Sequence, residues 1–254
     1  MFMTLRPALF LLFAALLAGC VSSGNVDPLK TEKGRTEARD AYIQLGLGYL
    51  RQGETGKAKV PLKKALELDP SSVDAHAALG LVFQVELEPQ LADQHFRRAL
   101  SIDPRDTRVR NNYGSFLFEQ GRYPEALEQF RLASEDNLYS ERSWVFENLG
   151  MTALKMNDRE QARQYFERAL RLNRRQPRSL LELALLAYER GEYVPARSYY
   201  ERFSEVSEQN SRSLLLGIRL AKIFDDRDKA ASLGLQLKRL YPGTPEYQQY
   251  LSEQ

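Results

Sequence analysis

Six alanines recur along the chain at a nearly constant spacing. They are separated by 34 residues, with a single interval of 36, and are Ala58, Ala92, Ala126, Ala162, Ala196 and Ala230. If units start at residues 39, 73, 107, 143, 177 and 211, the eighth position of each holds Gly46, Gly80, Gly114, Gly150, Ala184 and Ile218. A fixed period of this length indicates a stack of similar supersecondary units, each burying its apolar face against its neighbours.

A second position of the unit carries bulky residues. Position 24 holds Leu62, Phe96, Phe130, Phe166, Tyr200 and Gly234. A small residue on one helix lets another approach closely, and a bulky residue fills the space beside the crossing. The 34-residue period is that of the tetratricopeptide repeat, a helix–turn–helix unit. We therefore predict an all-α fold: an α-solenoid, or right-handed superhelix, of six tetratricopeptide repeats over 39–72, 73–106, 107–142, 143–176, 177–210 and 211–244, with a short capping helix over 245–254.

Three departures from the repeat lead to further expectations. Position 15 lies between the two helices and needs a left-handed backbone. Five repeats have glycine, asparagine or aspartate at this position, and Leu87 is the exception. Two extra residues around 134–142 predict a longer turn and a bend in the rod. The sixth repeat has Ile218 and Gly234 where small and aromatic residues are expected, as terminal repeats often depart from the pattern.

The N-terminus predicts export. Arg6 precedes an apolar run over 8–18, the layout of a secretory signal peptide over 1–19, with an uncut signal anchor as the alternative. Residues 17–20, Leu-Ala-Gly-Cys, resemble a bacterial lipobox, which implies cleavage before Cys20 and lipidation of Cys20, the only cysteine. By resemblance to Gram-negative lipoproteins, Ser22 in place of aspartate favours the periplasmic face of the outer membrane; a Gram-positive host would remove that inference. Polar residues 21–36 predict a flexible tether.

The composition does not point to chemistry. The formal charge is +2 and 28% of residues are charged, which predicts neither a nucleic-acid partner nor a strongly acidic ligand. His76 falls at a packing position and His95 on an outer side, and no zinc-protease or phosphate-loop motif is present. We predict no enzymatic activity, no small-molecule substrate, and no cofactor or metal.

A protein partner is the remaining expectation. By resemblance to tetratricopeptide proteins, positions 2, 5, 9 and 12 of the first helices face a concave surface. These positions predict an apolar groove made of Ile43, Leu47, Leu50, Ala77, Leu81 and Phe118, and a second patch made of Leu181, Leu185 and Tyr188. The alternative is that the N-terminal segment or a tighter superhelix covers these residues. Ile43 and Leu47 replace the Lys and Asn of the family's carboxylate clamps, so capture of a chaperone tail is not expected.

Two stretches carry a more specific resemblance. Residues 111–150 (NNYGSFLFEQGRYPEALEQFRLASEDNLYSERSWVFENLG) and 41–70 (AYIQLGLGYLRQGETGKAKVPLKKALELDP) resemble the type IV pilus biogenesis lipoproteins of the PilF/PilW family. The resemblance implies a pilotin, which binds subunits of the pilus secretin and promotes their outer-membrane localisation and multimerisation. The alternatives are a tetratricopeptide scaffold lipoprotein of outer-membrane barrel assembly or one that recruits peptidoglycan enzymes. Balanced charge and a capped C-terminus predict a monomer.

Overall fold

The structure is a computed structural model that describes residues 27–253. A 3₁₀ turn, Pro28–Lys30, precedes thirteen α-helices within this part of the chain. They are α1 Glu32–Arg51, α2 Thr55–Leu68, α3 Val73–Val85, α4 Pro89–Ile102, α5 Thr107–Glu119, α6 Tyr123–Ser134, α7 Arg142–Lys155, α8 Arg159–Leu172, α9 Pro177–Glu189, α10 Tyr193–Val206, α11 Ser211–Ile223, α12 Arg227–Leu240 and α13 Pro245–Ser252.

The helices fall into two units, and the boundary lies in the turn within the second repeat. The first unit ends at Leu87 and holds α1 to α3, and the second starts at Glu88 and holds α4 to α13. Within each unit, successive helices pack in the order of the sequence. The all-α tetratricopeptide fold is therefore present, and α13, Pro245–Ser252, corresponds to the predicted capping helix.

Polar side chains mark where many of the helices begin. Thr31, Ser72, Asp106, Asp158 and Asp226 each accept a backbone N–H from the first turn of the following helix. Asn210 forms a reciprocal capping box with Ser213 at the start of α11. These bonds satisfy amide groups that have no partner inside the helix, so the helix boundaries follow from local sequence.

The close approach of the two helices in a repeat depends on glycine. A Cβ built on Gly114 would lie 2.7 Å from Cε1 of Phe130, and one built on Gly150 would lie 2.6 Å from Cε1 of Phe166. Gly46 meets Leu62 in the same way in the first unit. The predicted pairing of positions 8 and 24 is confirmed in these repeats, because the ring or leucine occupies the space a side chain would need.

The sixth repeat shifts the small residue by one position. Gly217, not residue 218, lies against Tyr200 and Leu233, whereas Ile218 is fully buried beside Leu214 and Leu237. Gly234 lies against the ring of Tyr250 in α13. The departures noted in the sequence therefore fit the last repeat to its capping helix.

The insertion lengthens one turn between repeats. Residues 135–141 connect α6 to α7, whereas the other turns between repeats in the described chain have four residues. Asp136 accepts a 2.9 Å hydrogen bond from Thr107 Oγ1, and Arg142 Nε donates a 2.8 Å bond to the Ser134 carbonyl. Hydrogen bonds thus hold the longer turn at both ends. Leu138 at its tip is 95% exposed.

The predicted tether over 21–36 is wrong in its last part. Helix α1 begins at Glu32 because Thr31 Oγ1 caps it, accepting from the Gly34 N–H at 3.0 Å. Arg35 then donates to the Leu68 carbonyl at 2.8 Å, and Arg39 pairs with Asp69 at 2.9 Å. These contacts with the end of α2 keep the extra turns helical. Between residues 27 and 253, no helix has the length and apolar character needed to cross a bilayer.

Candidate partner-binding surfaces

The predicted groove residues of the first unit divide into two sets. Ile43 is 3% exposed and packs against Ala65 and Ala75, and Ala77 is fully buried. Leu47, Leu50 and Leu81 are half-buried, and the first two pack their inner sides on the core of Ala58, Leu62, Ala78, Leu79 and Val82. Leu47, Leu50 and Leu81 can therefore offer apolar surface to a partner, whereas Ile43 and Ala77 cannot.

The buried residues share one position in the repeat. Ile43, Ala77 and Leu181 all occupy position 5, and Leu181 is likewise buried in the core of the second unit. Ile43 packs against Ala75 of the next first helix, so position 5 lies in the seam between consecutive repeats. The inclusion of position 5 in the groove is corrected on this ground, since these side chains stabilise the stacking of helices.

Lysines lie over the aromatic rings of the first unit. Lys57 Nζ is 5.9 Å from the Tyr49 ring centroid, and Lys59 Nζ is 6.0 Å from that of Phe83. Lys59 is also paired with Glu86 at 2.7 Å. Cation–π contacts of this kind give these rings a charged neighbour. The three half-buried leucines are therefore the better candidates for apolar contact with a partner.

Phe118 lies at a cavity in the second unit. The cavity has a volume of about 290 Å³, and its lining residues come from α5, α6, α7 and α9: Ser115, Phe118, Glu119, Phe130, Asn148, Met151 and Arg178. Asn148 Nδ2 donates a 3.3 Å bond to Asn111 Oδ1, so a carboxamide pair lies beside the apolar rim. Carboxamides can bind a peptide backbone while Phe118 and Met151 contact an apolar side chain.

Two residues of this cavity were not among the predicted groove residues, although their repeat positions indicated that they face inward. Met151 is at position 9 of the fourth repeat and Arg178 at position 2 of the fifth, both positions expected to face inward. The same register applied to the fourth repeat would have identified Met151. The repeat register could not have identified Asn148, because position 6 is not among the positions expected to face inward. Its place beside the cavity is seen only from its hydrogen bond to Asn111.

The second predicted patch is smaller than expected. Leu181 is buried, Leu185 is half-buried against the core, and Tyr188 is half-buried with its ring centroid 5.5 Å from that of Tyr193. The Arg219 guanidinium lies 5.9 Å from the Tyr188 ring and is paired with Glu253, beyond α13. Burial raises the pKa of Tyr188, consistent with a ring that is only partly accessible.

The two histidines lie on α3 and α4. His76 Nε2 lies 3.2 Å from the Pro70 carbonyl, and His95 is half-buried on α4. Among residues 27–253, no group of three or more His, Cys, Asp or Glu side chains is arranged to hold a metal ion. Cys20 lies outside the described residues, so its lipidation stays a prediction.

Comparison with known proteins supports both the repeats and a more specific relationship. Tetratricopeptide-repeat family models match residues 40–72, 106–175 and 148–205. The type IV pilus assembly protein PilF of Pseudomonas aeruginosa is 63% identical over 251 residues, covering 99% of this chain and 100% of that protein.

Solved structures give the same result. The structure of Pseudomonas aeruginosa PilF has a TM-score of 0.85 and 64% identity, covering 87% of this chain and 100% of that one. The crystal structure of PilW, a widely conserved type IV pilus biogenesis factor, has a TM-score of 0.72 and 28% identity, covering 84% and 98% of the two chains. The similarity thus extends through both units, from first repeat to last.

Proposed function

Because this chain belongs to the family of the type IV pilus assembly protein PilF, we propose that it is a pilotin that binds subunits of the pilus secretin. In this role it carries the subunits to the outer membrane and promotes their assembly into multimers. The identity of 63% over nearly the whole of both chains is the observation that carries the proposal. A tetratricopeptide chain is a protein-interaction module, so this role requires binding of a partner and no catalysed reaction.

The half-buried leucines of the first unit provide the contact with the partner. Leu47 and Leu50 on α1 and Leu81 on α3 keep part of each side chain accessible, and the first two also pack on the core. Covering the accessible half of a leucine stabilises a complex by about 1 kcal/mol. Three such residues therefore suit an apolar segment of a secretin subunit, in helical or extended form.

The Phe118 cavity supplies a different kind of contact. Its carboxamide pair, apolar rim and Arg178 fit a segment with an exposed backbone and an acidic or polar side chain. We assign the first unit the main contact, since it offers three half-buried leucines. The cavity in the second unit is the candidate for a second stretch of the same partner.

The anchor completes the proposal. Lipidation at Cys20 would hold the chain to the outer membrane, so that a bound subunit travels with it by the lipoprotein sorting route. Exchange of Cys20 for alanine should then leave secretin subunits mislocalised even though they still bind the protein. A secretin that reaches the outer membrane normally with this variant would contradict delivery.

The direct test combines deletion with charge substitution. We expect a deletion strain to lack pili and secretin multimers while ordinary outer-membrane barrel proteins remain unaffected. Complementation with Leu47→Glu plus Leu81→Glu should fail to restore the multimers, because each carboxylate would be desolvated in an apolar contact. Leu235→Glu, at an exposed leucine on α12, is the matched control and should restore them.

The alternative outcomes are distinct. Loss of barrel proteins in the deletion strain would instead support a scaffold of barrel assembly. Altered peptidoglycan with intact secretin multimers would support recruitment of peptidoglycan enzymes. Full activity of a folded Leu47→Glu, Leu81→Glu variant would contradict the binding surface while leaving the pilotin role in place.

A further inference from the structure

One stretch of the second unit is strongly basic. Residues 168–178, RALRLNRRQPR, contain five arginines and no acidic residue. They cover the end of α8, the turn to α9 and the start of α9. Elsewhere in this unit arginines are commonly paired, as Arg163 is with Glu160 and Glu167. Within residues 27–253, by contrast, none of these five arginines forms an ion pair with a carboxylate.

A further arginine joins this stretch from α10. Arg202 Nη2 donates a 3.2 Å hydrogen bond to the Arg174 carbonyl, and its guanidinium lies 5.8 Å from the Tyr199 ring. Together Arg171, Arg174 and Arg202 line an open cleft of about 590 Å³, with Leu170 and Tyr199 also in the lining. The one carboxylate in the lining, Glu167, is already paired with Arg163 at 2.6 Å. The cleft therefore presents unpaired guanidinium groups, which suit phosphate through paired N–H donors.

Two exposed apolar side chains lie on the segment next to this stretch, one on the turn before α7 and one in the first turn of α7. Gln176 Nε2 donates a 3.3 Å bond to the Ser143 carbonyl, which places the arginine-rich turn against the start of α7. Trp144, the next residue, is 46% exposed, and the seven-residue turn that leads into α7 carries Leu138 at 95% exposure. An exposed tryptophan and an exposed leucine on a segment bonded to an arginine-rich turn have the composition of a membrane-interface surface.

We propose that this edge binds the surface of a bilayer that contains anionic phospholipid. The edge consists of Leu138, Trp144, Arg171, Arg174, Arg175 and Arg202, with the arginines on headgroup phosphates and Trp144 and Leu138 at the level of the glycerol backbone. A basic residue near an anionic surface contributes about 1 kcal/mol of attraction, so the four arginines of the edge together attract the protein to the bilayer strongly. Glu141, at the end of the turn before α7, and Glu205, in the last turn of α10, are exposed acidic residues that oppose this attraction in part.

An acidic protein segment would satisfy the arginines but would leave Leu138 and Trp144 without a role. The membrane is therefore the occupant that uses both the guanidinium groups and the two exposed apolar side chains. The proposal does not rest on secretin binding or on lipidation of Cys20. An anchor would only bring the edge close to the surface that it contacts.

Trp144 is the only tryptophan in the chain and therefore reports directly on this contact. The full chain is reconstituted into vesicles of phosphatidylcholine, with or without phosphatidylglycerol, that carry brominated acyl chains. We expect quenching of Trp144 emission in the anionic vesicles and little in the zwitterionic ones. A lipid anchor would hold the protein on both kinds of vesicle, so the signal measures contact of the edge and not attachment.

Charge reversal provides the decisive comparison. Arg174→Glu plus Arg175→Glu should weaken the lipid-dependent quenching by roughly tenfold or more. Arg98→Glu plus Arg51→Glu makes the same change in charge at exposed arginines elsewhere and should keep the quenching. If the first variant fails to fold, as judged by circular dichroism, Leu138→Ser replaces it and should reduce quenching. Equal quenching in both lipids, no quenching, or quenching unchanged by the edge variants would overturn the proposal.

Discussion

Leu87 occupies a backbone conformation that its side chain disfavours. Its φ is +58°, in the left-handed region, at the position where other repeats have Gly53, Gly121 and Gly191. Asn157 and Asp225 adopt the same conformation, as their short polar side chains allow. For a branched apolar residue this conformation costs about 1 kcal/mol, and Leu87 recovers little of it because its side chain is 85% exposed.

We therefore expect Leu87→Asn to stabilise the protein. The gain in the free energy of unfolding should be about 0.5–1 kcal/mol, measured by urea denaturation. Leu138→Asn provides the control, since Leu138 is also highly exposed but has no left-handed backbone. A Leu87→Asn variant that is no more stable than the Leu138→Asn variant would show that the turn carries no strain.

The predicted groove residues show how far the repeat positions of one helix identify accessible side chains. The repeat positions correctly selected accessible side chains at Leu47, Leu50 and Leu81, since positions 9 and 12 lie on the open side of a first helix. They included Ile43 and Leu181 in error, because both are covered by side chains that belong to other helices. Burial against a neighbouring repeat is a tertiary property that one helix's periodicity does not contain.

Helix α13 packs against a single small residue of the sixth repeat, Gly234. Tyr247 and Tyr250 pack on the last core cluster, and a Cβ at Gly234 would lie 2.9 Å from Cζ of Tyr250. Lys222 and Arg219 on α11 add bonds to Glu253 just beyond the helix. An eight-residue helix is not stable alone, so its order depends on this docking.

Gly234→Ala should release α13 from the sixth repeat. We expect amide protection over 245–252 to fall in hydrogen-exchange measurements, with the preceding helices nearly unchanged. Gly48→Ala is the matched control, because a Cβ there meets no atom within 4 Å and helix propensity favours alanine by about 1 kcal/mol. Unchanged protection of α13 in the Gly234→Ala variant would mean that Tyr250 is not held by this contact.

The charge pattern of the whole molecule sets how its stability depends on pH. Within residues 27–253, seven carboxyl groups have pKa values below their ordinary range: Glu86, Asp93, Glu125, Glu128, Asp136, Glu160 and Glu253. For Glu160 the hydrogen bond from Arg163 is the largest cause and holds the pKa at about 2. A lowered pKa means that stability present above the unfolded-state value is lost as the pH falls through the folded-state value.

Glu147 acts in the opposite direction. It is 1% exposed on α7, and its Oε2 accepts from the Ser179 hydroxyl at 2.8 Å and the Ser179 N–H at 3.1 Å. Burial raises its pKa despite these bonds. A raised carboxyl pKa means that the folded state binds the proton more tightly, so this residue adds stability as the pH falls.

We expect the urea midpoint of the wild-type protein to fall between about pH 5 and pH 2, because the lowered carboxyl groups outnumber Glu147. The Glu147→Gln variant should lose more than the wild type over the range where Glu147 takes up its proton. Its carboxamide oxygen can still accept from Ser179, so the comparison isolates the charge. Added salt should reduce the wild-type dependence, since the pairs are largely at the surface. Parallel curves for the two proteins would show that Glu147 titrates as an ordinary carboxyl group.

The sequence by itself determined the repeat number, the turn positions and the helix starts, because small residues, capping residues and bulky residues act within one unit of the chain. It also indicated the family through residues 41–70 and 111–150. The tertiary structure alone decided that Ile43 and Ala77 are core and that Arg174 and Arg202 lie together. Each of these depends on which side chains of a neighbouring helix come within contact distance, and the pattern of one repeat does not contain that information.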